Sequence, residues 1–307
     1  MAKIEYPITQ RRLRTGTLIR ELTASVKLSH KSFILPLFVE EGLVSPRPVQ
    51  GLGGVRVETV DTILDEVQVQ LDKGITKFLL FPVPVAKQEQ PGDFTFATNV
   101  VTILRKHFGD RIWLAADLCL CSYTTHGHCG ILDEGHTRLL NSPTVNTLVH
   151  YASKLAVAGV DCIAPSDMTD GRIGAIRTRL DALGFEQVTI MSYAAKFSSQ
   201  FYGPFRDACH SAPQSKGLQN RKTYQHSPLN PSDALASVLR DEQEGADILM
   251  VKPAALYTDI IAQVKAHTLR PVAAYHVSGE YAAIEALSEK GLVNRAAAHL
   301  EVWIALA

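Results

Sequence analysis

The chain has 307 residues, of which 46% are hydrophobic and 20% are charged, a composition typical of a globular protein with a large core. Its 31 basic and 31 acidic residues cancel, which argues against nucleic acid or an anionic membrane as a partner. No apolar run approaches the roughly 18 residues of a membrane span, and residues 1–7 lack the apolar centre of a signal peptide. Five cysteines, three of them in one short segment, favour metal or redox chemistry in a reducing compartment, so we expect a cytoplasmic protein.

Residues 1–30 are predicted to form an N-terminal arm. Arg11–Arg14 and the Ser/Thr-rich run that ends at His30 show little apolar periodicity, so they cannot supply a core. We expect this arm to lie on another subunit; a frayed terminus is the alternative.

From Phe33 onward, strand patterns alternate with helix patterns. The seven predicted strands are Phe33–Val39, Lys77–Pro82, Arg111–Asp117, Asp161–Pro165, Val188–Tyr193, Asp247–Lys252 and Pro271–Val277. Gly74, Gly159 and Gly245 each mark a helix end shortly before a strand. Such joints predict an α/β fold of the (β/α)8 TIM-barrel type over residues 31–307, with a doubly wound sheet as the alternative. Two helical patterns follow the seventh strand up to Ala307, so the expected eighth strand is missing from this chain.

Two lysines follow predicted neighbouring strands. Lys252 ends the apolar run Ile248–Val251, where desolvation favours the neutral amine, the form that attacks carbonyl groups. A lysine that reaches solvent at the barrel rim is the alternative. Lys196 follows the preceding strand, and two ammonium groups in one pocket disfavour each other's charge. The pair therefore favours Schiff-base chemistry.

The spacing C-x-C-x7-C places Cys119, Cys121 and Cys129 on one loop after a strand. Three thiolates can hold a zinc ion and leave a fourth position open for Lewis-acid chemistry. A closed structural site that recruits His126 or His128 is the alternative. We interpret Cys162 and Cys209 as packing residues.

Residues 197–225 form a long connection with a polar middle, which predicts a lid without regular structure. Arg206 and Arg221 on this lid offer forked donors to a substrate carboxylate, although solvated arginines are an equally simple interpretation.

Five blocks together resemble the porphobilinogen synthase (5-aminolevulinate dehydratase) family, and the similarity spans essentially the whole chain. The blocks are Arg11–Arg14, Cys119–Gly130, Met191–Arg206, Met250–Pro253 and Tyr275–Tyr281. The resemblance implies the condensation of two 5-aminolevulinate molecules to porphobilinogen in tetrapyrrole (haem) biosynthesis. It also implies a homo-octamer that the N-terminal arm holds together.

The resemblance further implies a role for each matching residue. Lys252 forms a Schiff base with the first substrate, Lys196 binds the second, and Cys119, Cys121 and Cys129 hold Zn²⁺ beside the second. Arg206, Arg221 and Gln225 match contacts of the second substrate's carboxylate, and Ser278 matches a ligand of the other carboxylate. The remaining matches are pocket positions: Asp117, Ser166, Tyr193, Tyr202 and Phe205.

The missing strand is a departure from the family, because it carries a tyrosine that binds the first carboxylate. If the polypeptide ends at Ala307, we expect an open barrel, weak binding of the first substrate and little activity. A truncated or degenerate paralogue that binds zinc with little activity is therefore one alternative function. A class I Schiff-base aldolase is the other, although it needs neither the second lysine nor the three cysteines.

Overall fold

The computed structural model describes residues 11–307, so the first ten residues of the predicted arm lie outside the described part. The nine strands of this described part are β1 (Leu35–Glu40), β2 (Arg47–Pro48), β3 (Arg56–Glu58), β4 (Lys77–Val83), β5 (Trp113–Leu118), β6 (Cys162–Pro165), β7 (Thr189–Lys196), β8 (Ile248–Lys252) and β9 (Val272–Ala274). The ten α-helices within residues 11–307 are α1 (Thr17–Leu22), α2 (Ile63–Asp72), α3 (Thr95–Phe108), α4 (Asn141–Ala158), α5 (Arg172–Ala182), α6 (Gly203–Ala208), α7 (Pro231–Gln243), α8 (Thr258–His267), α9 (Ser278–Glu289) and α10 (Arg295–Leu306).

Seven of the strands form one parallel sheet in the order β1-β4-β5-β6-β7-β8-β9, and these are the seven predicted ones. Their order in the sheet follows their order in the chain without a reversal. A doubly wound sheet requires such a reversal, so the sequential order confirms the barrel type of α/β fold. The short strand β3 pairs in parallel with the other edge of β1, and β2 pairs with β3 in the antiparallel sense. The sequence did not predict these two strands.

Each strand separates two apolar layers, because successive side chains point to opposite faces. Leu80, Leu114 and Ile163 belong to the layer that packs against the helices. Phe81 and Met250 belong to a second cluster on the inner face of the sheet. A residue at the carboxyl end of a strand therefore enters the inner face only if its position continues that alternation.

The helix ends before the strands use glycine as predicted. Gly74, Gly159 and Gly245 have φ angles of 84°, 101° and 104°, in the left-handed region that L side chains seldom adopt. The backbone can therefore turn back sharply toward the next strand.

Strand β9 pairs with β8, and within residues 11–307 no strand pairs with its other edge. The sequence analysis found no pattern for an eighth parallel strand, and the described part of the chain contains none after β9. Helix α10 packs near the first strand: the Trp303 ring lies 5.2 Å from that of Phe33, which precedes β1.

The segment 197–225 differs from its prediction, because it contains regular structure. A 3₁₀ helix over Gln200–Tyr202 leads into α6. The segment closes on itself at its base, where Ser198 N donates to His226 O (2.9 Å) and His226 N donates to Lys196 O (3.0 Å). It leaves and rejoins the barrel at the end of β7.

Two further features concern surfaces. Helix α1 leaves Leu18 and Leu22 each 81% exposed, so this part of the arm contributes nothing to the core. Among the helices of residues 11–307, none combines the length and the apolar character needed to cross a membrane.

Candidate active site

The amine of Lys252 lies inside the barrel mouth, not at a solvated rim. Its residue is 3% exposed. Four ring centroids surround Nζ, those of Tyr275 (3.8 Å), Phe205 (4.8 Å), Tyr193 (4.9 Å) and Tyr202 (5.6 Å). Burial, and after it the positive charge of Lys196, lower the pKa of Lys252 from 10.5 to about 7. A large fraction of this amine is therefore neutral near pH 7.

Lys196 lies beside it on the neighbouring strand and is 5% exposed. The two lysines are paired in the register of β7 and β8. The Lys196 Nζ lies 5.5 Å from the centroid of the Tyr193 ring, the same ring that Lys252 faces, and it donates to the carbonyl oxygen of Ser166. The two amines therefore face the same aromatic ring.

A β-bulge in β7 turns Lys196 to the inside. Met191 pairs with Ile248, but Ala195 pairs with Val251, so β7 contains one residue more than β8 over the same length. Tyr193 belongs to the inner cluster. If these residues formed a regular strand without the bulge, the alternation from Tyr193 would direct Lys196 toward the helices.

Asp117 and Ser166 end neighbouring strands on the same inner face. The Asp117 Oδ1 atom is buried and has no hydrogen-bond partner. Burial raises the pKa of Asp117 to about 6, although the charges of Lys196 and Lys252 act in the opposite direction. The buried hydroxyl of Tyr193 also lacks a partner. This part of the pocket therefore presents polar atoms that are free to contact a ligand.

The three cysteines form a compact buried cluster. The Sγ atoms of Cys119, Cys121 and Cys129 lie within 4.8 Å of one another, and within residues 11–307 they are the only group of three or more potential metal ligands. Tetrahedral coordination at a zinc–sulfur distance of 2.3 Å places two sulfurs roughly 3.8 Å apart, so the cluster fits a metal of this kind. Hydrogen bonds from the other two cysteines lower the pKa of Cys129 well below 9.0, which favours the thiolate form that binds metal.

The histidines of the same loop do not complete a closed metal site. Both ring nitrogens of His128 are engaged, Nδ1 with the Tyr224 hydroxyl (2.9 Å) and Nε2 with the Leu218 carbonyl (3.0 Å). The Nδ1 atom of His126 accepts from His128 N, and its Nε2 atom is buried without a partner. The geometry thus favours the open, three-sulfur interpretation.

A small cavity lies beside the cysteine cluster. Asp117, Cys119, Cys121, Phe205 and Cys209 are among its lining residues. The interpretation of Cys209 as a packing residue is therefore incomplete, because this thiol borders the site. No sequence signal distinguished it from Cys162, which belongs to the same inner cluster but does not line the cavity.

The lid brings two arginines and a glutamine over the site. Arg221 is 5% exposed, and its Nη2 atom donates to Gly127 O (3.0 Å) and Ser211 O (2.6 Å). The Nε atoms of Arg206 and Arg221 and both amide atoms of Gln225 are buried without partners. Burial and the charge of Arg221 lower the pKa of Arg206. Unsatisfied buried donors around two like charges suit a carboxylate ligand.

Ser278 and Tyr202 are placed in the site but already make contacts within the protein. The Ser278 Oγ atom accepts from Phe205 N (3.1 Å), and the Tyr202 hydroxyl donates to Phe197 O (2.7 Å). The ring closest to the Lys252 amine belongs to Tyr275, which the sequence analysis did not name as a site residue. Its position two residues after Ala273, on the inner face, was the available signal.

A TIM barrel with paired buried amines in an aromatic pocket, beside three thiols that suit a metal, has the features of an enzyme that acts on carbonyl compounds. A family model for delta-aminolevulinic acid dehydratase matches residues 8–307. The relative from Bacillus subtilis is 40% identical over 296 residues, 95% of this chain and 90% of its own. The relative from Streptomyces coelicolor is 42% identical over 299 residues, 95% of this chain and 88% of its own.

A solved structure agrees with these relatives. The delta-aminolevulinic acid dehydratase (porphobilinogen synthase) of Toxoplasma gondii, in complex with its product porphobilinogen, superposes with a TM-score of 0.92 at 35% identity. The match covers 99% of this chain and 87% of that one. The chain belongs to the delta-aminolevulinic acid dehydratase family, a family of lyases. The predicted family is thereby confirmed, and the aldolase alternative is wrong.

Proposed function

We propose that this chain condenses two molecules of 5-aminolevulinate to porphobilinogen, with loss of two molecules of water, in tetrapyrrole biosynthesis. The observation that carries the proposal is the pair of buried amines, Lys196 and Lys252, that face one Tyr193 ring. An enzyme that captures a single carbonyl compound needs only one amine. A reaction that joins two keto substrates gives a role to both amines.

Lys252 is the amine that forms the Schiff base with the first substrate. Its neutral form attacks the ketone carbon, the carbonyl oxygen leaves as water, and the resulting imine withdraws electrons from the neighbouring carbons. The pKa of about 7 supports this role, because an ammonium group has no lone pair to donate. Lys196 binds the second substrate in the same pocket.

The carboxylates are held at two places. Arg206, Arg221 and Gln225 bind the carboxylate of the second substrate through the donors that have no partner in the protein. Ser278 binds the carboxylate of the first, at the amino end of α9. The segment 197–225 acts as the lid that brings its donors over the substrates and excludes water. Asp117, Ser166, Tyr193, Tyr202 and Phe205 shape the pocket between them.

Cys119, Cys121 and Cys129 are the residues that would hold Zn²⁺, on the side of the pocket where the second substrate lies. When bound, this ion supplies a Lewis acid for the carbonyl or leaving hydroxyl group of that substrate. All five cysteines are free and buried, which supports a reducing, cytoplasmic location. The arm of residues 1–30 contacts a neighbouring subunit of a homo-octamer, and the exposed Leu18 and Leu22 provide apolar surface for that contact.

Borohydride trapping with 5-aminolevulinate, followed by peptide mapping, tests the proposal. Hydride reduces the imine to a stable secondary amine, so the labelled peptide identifies the lysine. We expect label on Lys252 and formation of porphobilinogen in a parallel assay without borohydride. A protein that binds zinc but is labelled at neither Lys252 nor Lys196 would be the degenerate paralogue instead.

A further inference from the structure

The carboxylate of Glu280 is buried and is held by backbone donors. Glu280 lies in the first turn of α9 and is 5% exposed. Its Oε1 atom accepts from Ala255 N (2.9 Å) and Leu256 N (3.3 Å), and its Oε2 atom accepts from Val277 N (2.9 Å). A buried carboxylate is costly unless its oxygens are satisfied, so these bonds hold both segments firmly against the side chain.

The donors come from the ends of two neighbouring strands. Ala255 and Leu256 lie on the loop that leaves β8 directly after Lys252. Val277 precedes Ser278 at the point where the chain leaves β9 and enters α9. One side chain therefore ties the loop behind the imine-forming amine to the helix end that carries the carboxylate-binding serine.

The surroundings leave both segments little freedom to move. The carbonyl of Lys252 accepts from Phe197 N (2.8 Å) and from the Tyr202 hydroxyl (3.2 Å). At the start of α9, a Cβ atom on Gly279 would lie 2.6 Å from the carbonyl oxygen of Phe201, so this helix end is packed tightly against the lid.

We propose that Glu280 is a positioning residue that sets the separation between the Lys252 amine and Ser278, and thereby the chain length of the oxo acid that the pocket accepts. The inference rests on the proposed function, in which these two groups hold opposite ends of one molecule. A 4-oxo acid has two methylene groups between its carbonyl and carboxylate carbons, and a 5-oxo acid has three. With the separation fixed, one length bridges both groups, and a single methylene is worth about tenfold or more in selectivity.

The test uses 4-oxopentanoate and 5-oxohexanoate as probes on the metal-loaded full chain. The Lys252 amine and the ketone form an imine and water, and cyanoborohydride reduces the C=N bond to a secondary amine that mass spectrometry quantifies. We expect wild type to prefer the 4-oxo acid by about tenfold or more in half-saturating concentration. Glu280→Gln keeps the shape but replaces one acceptor oxygen with a donor, so we expect the preference to fall at least about fivefold.

Glu285→Gln is the matched control, because it makes the same change on the same helix. Glu285 contacts Arg295 (2.9 Å) and His299 (2.7 Å) and none of the donors around Lys252. We expect its length preference to stay within about twofold of wild type, since changes at sites that share no partners act independently. A second control is 2-butanone, a ketone without a carboxylate, whose capture reports the reactivity of Lys252 alone.

The outcomes separate this inference from the proposed function. Wild type that captures neither acid at Lys252 overturns both. Three outcomes overturn the positioning role alone. The first is wild type without a length preference, and the second is an unchanged preference in Glu280→Gln. The third is a Glu280→Gln variant that loses capture equally for both acids and for 2-butanone. If the glutamine variant is not recovered folded, Glu280→Asp decides the question, because it keeps the charge and shortens the reach by one methylene. A preference that shifts at least about fivefold in that variant supports the inference.

Discussion

Replacing Lys196 with methionine removes a positive charge beside Lys252 and keeps a side chain of similar length. The two amines lie 5.5 and 4.9 Å from the centroid of the same Tyr193 ring, so they cannot be much more than 10 Å apart. At 10 Å and an effective dielectric constant near 20, two unit charges repel by about 1.6 kcal/mol, which corresponds to a little over one pKa unit. Lys196→Met should therefore raise the pKa of Lys252 from about 7 to about 8 or above.

The assay is the rate at which cyanoborohydride captures 4-oxopentanoate at Lys252, measured from pH 5.5 to 9.5 with metal bound. A lowered pKa means that the reactive neutral amine is present above the pKa and is lost as the pH falls through it. The variant's profile should shift upward by about one pH unit relative to wild type, with roughly fivefold slower capture at pH 7 and equal rates at pH 9.5.

Lys87→Met is the matched control for this experiment. Lys87 is another partly buried lysine on this rim, and its ammonium donates to His210 O (2.5 Å). It is not among the charges that shift the pKa of Lys252, so this variant should keep the wild-type profile. An unchanged midpoint in Lys196→Met would refute the reasoning, because burial alone would then account for the low pKa.

Three further outcomes follow from the site. Cys129→Ser should reduce bound metal from about one ion per chain to a small fraction by elemental analysis, whereas Cys162→Ser retains it; full metal content in the first variant would exclude the three-sulfur site. Dialysis against a chelator should abolish porphobilinogen formation but leave capture of the first substrate at Lys252; loss of both would place the metal at the first step. Arg221→Met should raise the KM about 100-fold, from the loss of about 3 kcal/mol in charged hydrogen bonds, with partial recovery in Arg221→Lys. Arg138→Met, whose guanidinium is exposed, should leave the KM unchanged, and an equal effect in both variants would contradict the carboxylate role.

The strands and much of the pocket could be predicted because burial produces a regular pattern of apolar residues in the sequence. Alternation along β5, β6 and β8 correctly directs Asp117, Ser166 and Lys252 to the inner face, since each strand runs straight to its end. Strands β2 and β3 show no such pattern, because they have only two and three residues. Their pairing stabilises them instead, β3 with β1 and β2 with β3.

The lid and the border of the metal cluster were harder to predict. The partners of Arg221, at Gly127 and Ser211, are 94 and 10 residues away in the chain, and such distant contacts depend on how the lid folds back. The same is true of Cys209, which reaches the cavity only because α6 packs over the barrel mouth. Tertiary packing decides these positions, and local spacing carries no information about it.

The bulge in β7 determines how this strand tolerates a change in its length. Ala194 and Ala195 both face the helices, so removing either one would restore simple alternation and leave Lys196 directed inward, opposite Lys252. In a regular strand, one added residue would instead reverse every side chain that follows it. The bulge absorbs the added residue locally, so the chamber keeps both amines although β7 and β8 differ in length.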